Sequence, residues 1–182
     1  MKKSFLFLAD GFETIEALTP VDVMRRAGMD IKTVCINPSK VAVSAQGVPV
    51  TADFYFDEVA SEFDSAEWII LPGGMPGASN LHGFAPLASL LTRFKGNIAA
   101  ICAAPAVVLG QLGLLAGLKA TCYPGFEDQL TDAIHSSEPV VVTDRIITAN
   151  GPATALRFSL AIVAASLGAS AADQVAAGML LK

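Results

Sequence analysis

Four short apolar runs stop abruptly at turns of small residues, and helix-forming stretches separate them. Ser4–Ala9 runs into Asp10-Gly11, Trp68–Leu71 into Pro72-Gly73-Gly74, Asn97–Ile101 into Cys102-Ala103-Ala104, and Arg145–Ala149 into Asn150-Gly151-Pro152. Runs of this length with little polar alternation are buried on both faces, which is the signature of parallel strands covered by helices. Strands that alternate with helices predict an α/β sandwich around a mostly parallel sheet. Right-handed crossovers put the turns after such strands on one edge of the sheet, where open α/β sheets bind their ligands. The residues of interest therefore lie in Asp10–Glu16, Pro72–Met75, Cys102–Ala104 and Asn150–Pro152.

Ile31–Ile36 reads as a further strand and Lys119–Thr121 as a weaker one, while Pro139–Thr143 and Arg145–Ala149 read as a strand pair or one bent strand. Val41–Val43 and Val48–Thr51 flank Ser44-Ala45-Gln46-Gly47 as a hairpin. Asp10 and Glu13 fit a capping box, and Thr19-Pro20-Val21-Asp22 a second helix start, with Gly28 as the stop. Pro86–Phe94, Ala103–Leu112, Pro152–Leu167 and Ala171–Leu181 are expected helices. No repeat or linker divides the chain, so residues 1–182 are expected to form one domain.

A hydrophobic fraction of 53% supports a large core, and only 16% of residues are charged. So thin a polar skin points to apolar surface covered by a second copy, giving an expected homodimer. Net charge is −5, and the 12 Lys and Arg form no stripe, which excludes nucleic acid as an expected partner. Asp10 interrupts the first apolar run before a signal-peptide core is complete, and no uninterrupted run has the length of a membrane span. The expected location is the cytoplasm. Cys35, Cys102 and Cys122 are too few for a disulfide framework, and His82 and His135 match no zinc spacing. No metal or cofactor is expected.

Cys102 stands where a strand ends and a helix begins, between small neighbours and with Pro105 close behind. A nucleophile elbow needs this arrangement, and free N–H groups at a helix start favour a thiolate below the usual value of ~8.5. The alternative is a small buried hydrophobe. Gly73 and Gly74 permit close backbone approach, so the N–H of Gly74 with that of Ala103 can cradle an oxyanion. The alternative there is a plain turn before a helix. Glu16, among Phe12, Ile15, Ala17 and Leu18, reads as a desolvated acid able to share a proton with a thiolate, or else as an exposed helix glutamate. Glu13 is taken as the capping carboxylate.

These residues resemble a known family. Leu8-Ala9-Asp10-Gly11-Phe12-Glu13-Thr14-Ile15-Glu16, Pro20 to Gly28, Leu71-Pro72-Gly73-Gly74, Ala99 to Pro105 and Asn150-Gly151-Pro152-Ala153-Thr154 resemble, in order, blocks of the ThiJ/PfpI superfamily, above all its parkinsonism-associated, protein deglycase branch. The resemblance implies a three-layer flavodoxin-like sandwich of the class I glutamine amidotransferase-like type, usually dimeric. It implies Cys102 as the elbow cysteine, oxidisable to a sulfinate held by Glu16. It also implies cofactor-free glyoxalase, deglycase, chaperone or oxidative-stress roles, and for some members a peptidase or thiazole monophosphate biosynthesis role. A flavin carrier rests on fold analogy alone. Arg26 resembles a basic residue near the pocket mouth of relatives, with a solvated helix arginine as the alternative; Asn150 falls in the last matching block. Where that branch often carries a histidine near the cysteine, this chain has Tyr123. A phenol that titrates near ~10 is a poor base at neutral pH, which disfavours a Cys-His hydrolase.

Overall fold

The computed structural model describes residues 2–181. Eleven strands are seen among them: β1 Ser4–Leu8, β2 Ile31–Cys35, β3 Val41–Val43, β4 Pro49–Thr51, β5 Phe54–Tyr55, β6 Trp68–Leu71, β7 Asn97–Ile101, β8 Lys119–Ala120, β9 Ile134–His135, β10 Val140–Thr143 and β11 Ile146–Ala149. The α-helices are α1 Thr14–Arg26, α2 Gly77–Gly83, α3 Ala85–Arg93, α4 Ala155–Leu167 and α5 Ala169–Gly178. Seven strands form the central sheet in the order β10-β11-β7-β6-β1-β2-β5. All neighbours in it run parallel except β10, which pairs with β11 antiparallel. The expected α/β architecture is the one observed.

The two sheet faces bury separate cores. Phe5 and Phe7 of β1 point into one core, with Phe56, Phe63, Leu81, Leu90 and Val108. Leu6 and Leu8 point into the other, with Val21, Met24, Phe158 and Ile162. Both sets on β1 are fully buried, so the strand shows no polar alternation. Each such side chain contributes ~1.5–3 kcal/mol through removal from water.

Helix α1 departs from the sequence reading in two ways. It is one continuous helix, with Pro20 inside it and no second start at Thr19. Pro20 costs the helix one bond to the Glu16 carbonyl, and burial of Ala17, Val21, Val23 and Met24 outweighs that loss. Its cap is Glu13 itself, whose Oε2 accepts from the Glu16 amide at 2.7 Å. Asp10 instead accepts from the amide of Val43 at 2.8 Å and so ties the first loop to the hairpin. Gly28, at φ +78°, ends the helix as expected.

The segment expected as a helix over Ala103–Leu112 is helical but π-wound over Pro105–Gly110. Gln111 N–H reaches back five residues to the Ala106 carbonyl at 3.3 Å. A Cβ on Gly110 would collide with the carbonyl of Gln129, so the turn presses directly on the Glu127–Gln129 backbone. Strands β5 and β9 and helix α2 escape the sequence pattern: two-residue strands have no period to read. No helix among the described residues is long and apolar enough to cross a membrane.

Candidate active site

Strands β1, β6, β7 and β11 end on the same edge of the sheet, and the four expected loops meet there. Cys102 directly follows β7 and adopts φ +65°. A left-handed conformation at a residue with a Cβ is strained and persists only where the surroundings hold it. Two main-chain bonds do so. The Cys102 amide donates to the Ala149 carbonyl of β11 at 2.8 Å, and its carbonyl accepts from the Tyr123 amide at 2.8 Å. The residue is buried but for 8%, and the backbone N–H groups of Gly74 and Ala103 favour its ionised form.

Glu16 sits in the first turn of α1 and is fully buried. Its Oε2 accepts from the Gly73 amide at 2.9 Å, while Oε1 is buried with no conventional hydrogen-bond partner. Gly73 is the spacer between acid and thiol. A Cβ there would stand 2.7 Å from both Cys102 Cβ and Glu16 Oε2. Gly74, at φ +84°, has no room either: a Cβ would strike the backbone of Gly11, Phe12 and Glu13. The Glu13 amide donates to the Gly73 carbonyl at 3.0 Å and locks the two loops together. The structure therefore brings Cys102, Glu16, Gly73, Gly74 and Ala103 into one cluster.

Burial raises the proton affinity of both groups, and Glu16 raises that of Cys102 further. Burial pushes the Glu16 carboxyl up to about 7, against the opposing bonds from Cys102 and Gly73. Burial, then the charge and hydrogen bond of Glu16, push the Cys102 thiol up to about 12, against the Gly74 and Ala103 amides. Such a pair holds one shared proton over the intervening range. With that proton on Glu16, the sulfur anion accepts from two backbone N–H groups and the acid. With the proton on sulfur, the carboxylate has only the Gly73 amide and a weak S–H donor. The order of the two values leaves the remaining proton mostly on sulfur near neutral pH, and the thiolate is reached by passing that proton to Glu16. This corrects the expectation of a thiol below its usual value: burial opposes ionisation, the following turn is short and π-wound, and the thiolate is left to depend on the expected partner acid Glu16.

Three comparisons place the chain. A model of the DJ-1/PfpI family matches residues 2–165. The chain belongs to the DJ-1/PfpI family. It is 37% identical over 187 residues to Protein DJ-1 homolog B of Arabidopsis thaliana, covering all of this chain but only 42% of that protein. Over 169 residues it is 34% identical to the glutathione-independent glyoxalase DJR-1.2 of Caenorhabditis elegans, covering 89% of this chain and 88% of that one. Oxidized Toxoplasma gondii DJ-1 superimposes with a TM-score of 0.94 at 35% identity, covering 99% and 98% of the two chains.

Other predicted residues of this DJ-1/PfpI chain lie at varying distance from the cluster. Tyr123 touches the elbow through its main chain, and its half-exposed ring packs edge-on against Phe126, 6.4 Å away. Asn150 follows the Ala149 carbonyl that holds Cys102, and its amide donates to Pro139. Arg26 is not at the pocket mouth. It ends α1 ten residues beyond Glu16, about 15 Å along the axis, and pairs with Asp22 at 2.8 Å in an exposed i,i+4 bridge. Cys122 packs into the core on the opposite sheet face from Cys102. His82 lies on α2 and His135 on β9. No group of three metal-ligating side chains occurs among the described residues. One pair was missed in the sequence: Thr121 and Thr148, each 1% exposed, joined by a 3.0 Å bond from the Thr121 amide to Thr148 Oγ1. Its only signal was a threonine inside the apolar run Ile146-Ile147-Thr148-Ala149.

Proposed function

We propose that the chain is a cofactor-free, cysteine-dependent enzyme of the glyoxalase or deglycase type, acting on small reactive carbonyls in the cytoplasm. One observation carries this reading: a fully buried carboxyl with one oxygen on the Gly73 amide and the other unpartnered, set against a cysteine in left-handed backbone. The glyoxalase name of the Caenorhabditis elegans relative supports it. The three cysteines are all free, which suits a reducing compartment.

In the proposed reaction the Cys102 sulfur adds to the aldehyde carbon of a 2-oxoaldehyde such as methylglyoxal. The carbonyl oxygen takes the electron pair and is received by the N–H groups of Gly74 and Ala103. Glu16 gives that oxygen its proton, forming a hemithioacetal. As carboxylate, Glu16 then removes the proton from the former aldehyde carbon to give an enediolate; the hydroxyl proton on the first oxygen passes to the second, and Glu16 returns its proton to the adjacent carbon, which leaves a thioester. Water cleaves the thioester, releases lactate and restores the thiol. The sum is methylglyoxal plus water giving lactate, with no oxidant or reductant. Lactate formation by the wild type and its loss in Cys102→Ala is the expected result; equal production by both ends the proposal.

A second reading, an oxidative-stress sensor or chaperone with little turnover, is favoured by the same donors around the sulfur, which also suit an oxidised, anionic cysteine. Intact mass after mild peroxide tests it: a gain of two oxygens at Cys102, lost in Cys102→Ser and weakened in Glu16→Leu. A peptidase role is disfavoured by Tyr123. A homodimer is proposed from the exposed apolar side chains Ile15 and Leu18 of α1 and Val43 and Val48 of the hairpin region; a monomeric mass in sedimentation rules it out.

A further inference from the structure

Cys102 is held in its left-handed conformation from two sides by two different segments. Ala149, at the end of β11, takes the amide proton, and Tyr123, beyond β8, gives its own to the carbonyl. β11 is paired on both sides in the central sheet, but the Tyr123 segment has little support of its own. β8 is only two residues long and pairs with the equally short β9. The two segments are joined to each other by one buried side chain. Thr148, adjacent to Ala149, accepts the amide of Thr121, two residues before Tyr123, at 3.0 Å. Both threonines are 1% exposed, so no water replaces that bond if it is lost.

The geometry points to Thr148 as a positioning residue for Cys102, an inference that rests on the nucleophile reading above. Its hydroxyl closes a clip: β11 to the elbow amide, the elbow carbonyl to the Tyr123 amide, and the Tyr123 segment back to β11. Opening the clip frees the elbow peptide to relax from its strained conformation. The sulfur then moves off the Gly74 and Ala103 N–H groups and away from Glu16, and its anion loses the donors that sustain it. Displacements of about 1 Å cost roughly two orders of magnitude in rate at a positioned nucleophile.

The test is alkylation of Cys102 by iodoacetamide, followed site by site by mass spectrometry across pH in Thr148→Val, Thr148→Ser and wild type. Valine keeps the shape and removes the acceptor; serine keeps the acceptor and removes a methyl. Alkylation about tenfold slower or more in Thr148→Val, with a midpoint at higher pH and recovery in Thr148→Ser, is the expected result. Wild-type rate and midpoint in Thr148→Val overturn the inference, as does equal slowing in Val and Ser, which assigns the effect to methyl packing. If Thr148→Val does not fold, Thr148→Ala carries the same comparison. A wild-type Cys102 inert to iodoacetamide at every pH defeats the nucleophile reading, and the clip falls with it.

Discussion

The Gly73 amide and Glu16 Oε2 meet at 2.9 Å inside the protein, and this bond engages one oxygen of the carboxyl while the other stays free. An isolated carboxylate in that position would be poorly solvated. The carboxyl is accordingly raised to about 7 from an ordinary value of 4.5.

This shift makes stability depend on pH. Below about 4.5 the acid is protonated in folded and unfolded chains alike and contributes nothing. As pH rises from there through about 7, the unfolded chain loses the proton first, so this group lowers stability, and above that range the loss is constant. The difference of roughly 2.5 units corresponds to on the order of 3 kcal/mol. Glu16→Gln is expected to flatten the decline in urea midpoint between about pH 5 and pH 8. Parallel declines in wild type and variant contradict it.

The alkylation profile of Cys102 reads the same pair from the sulfur side. In the wild type, reactivity is expected to rise as the pair loses its first proton, near about 7. In Glu16→Leu the thiol ionises alone, without an acid to donate to it, and burial is the leading cause that holds it up. The midpoint is expected above the free-thiol value of ~8.5. Superimposable profiles exclude proton sharing.

Gly73→Ala forces a Cβ to within 2.7 Å of both working side chains and 2.9 Å of the Ile101 carbonyl. Overpacking of this kind costs about 1–3 kcal/mol. The larger effect is expected on turnover, a fall of tenfold or more in kcat/KM because acid and sulfur are driven apart. A variant with wild-type kcat/KM and a normal melting temperature contradicts the spacer role.

Arg26→Ala is expected to leave kcat/KM within about twofold and stability within about 0.5 kcal/mol, because the side chain is half exposed and holds only a surface pair. A selective rise in KM for anionic substrates restores Arg26 to the binding site.

The strands that carry the site were legible because each is a short apolar run ended by a turn of small residues, and parallel order then dictated which turns share an edge. Cys102 stood out because strand, cysteine and helix start abut without a loop. Less visible were choices decided by tertiary contacts. Asp10 and Glu13 both suit a cap, and only the hairpin amide of Val43 explains why Asp10 serves elsewhere. Pro20 signals a helix start locally, yet a buried face carries α1 through it. The π-wound turn answers to Gln129, about twenty residues downstream. Arg26 was placed by resemblance, and the length of α1 removes it from the pocket.

The position of Cys35 in the sheet bears on the proposed reactive cysteine. Cys122 faces the far core, and Cys35 sits on β2, three strands from β7, roughly 14 Å at the usual strand spacing. Cys35 is thereby out of disulfide reach of Cys102. Under the proposed reading, a sulfenate formed at Cys102 cannot condense with Cys35, so its rescue needs a thiol from elsewhere than β2.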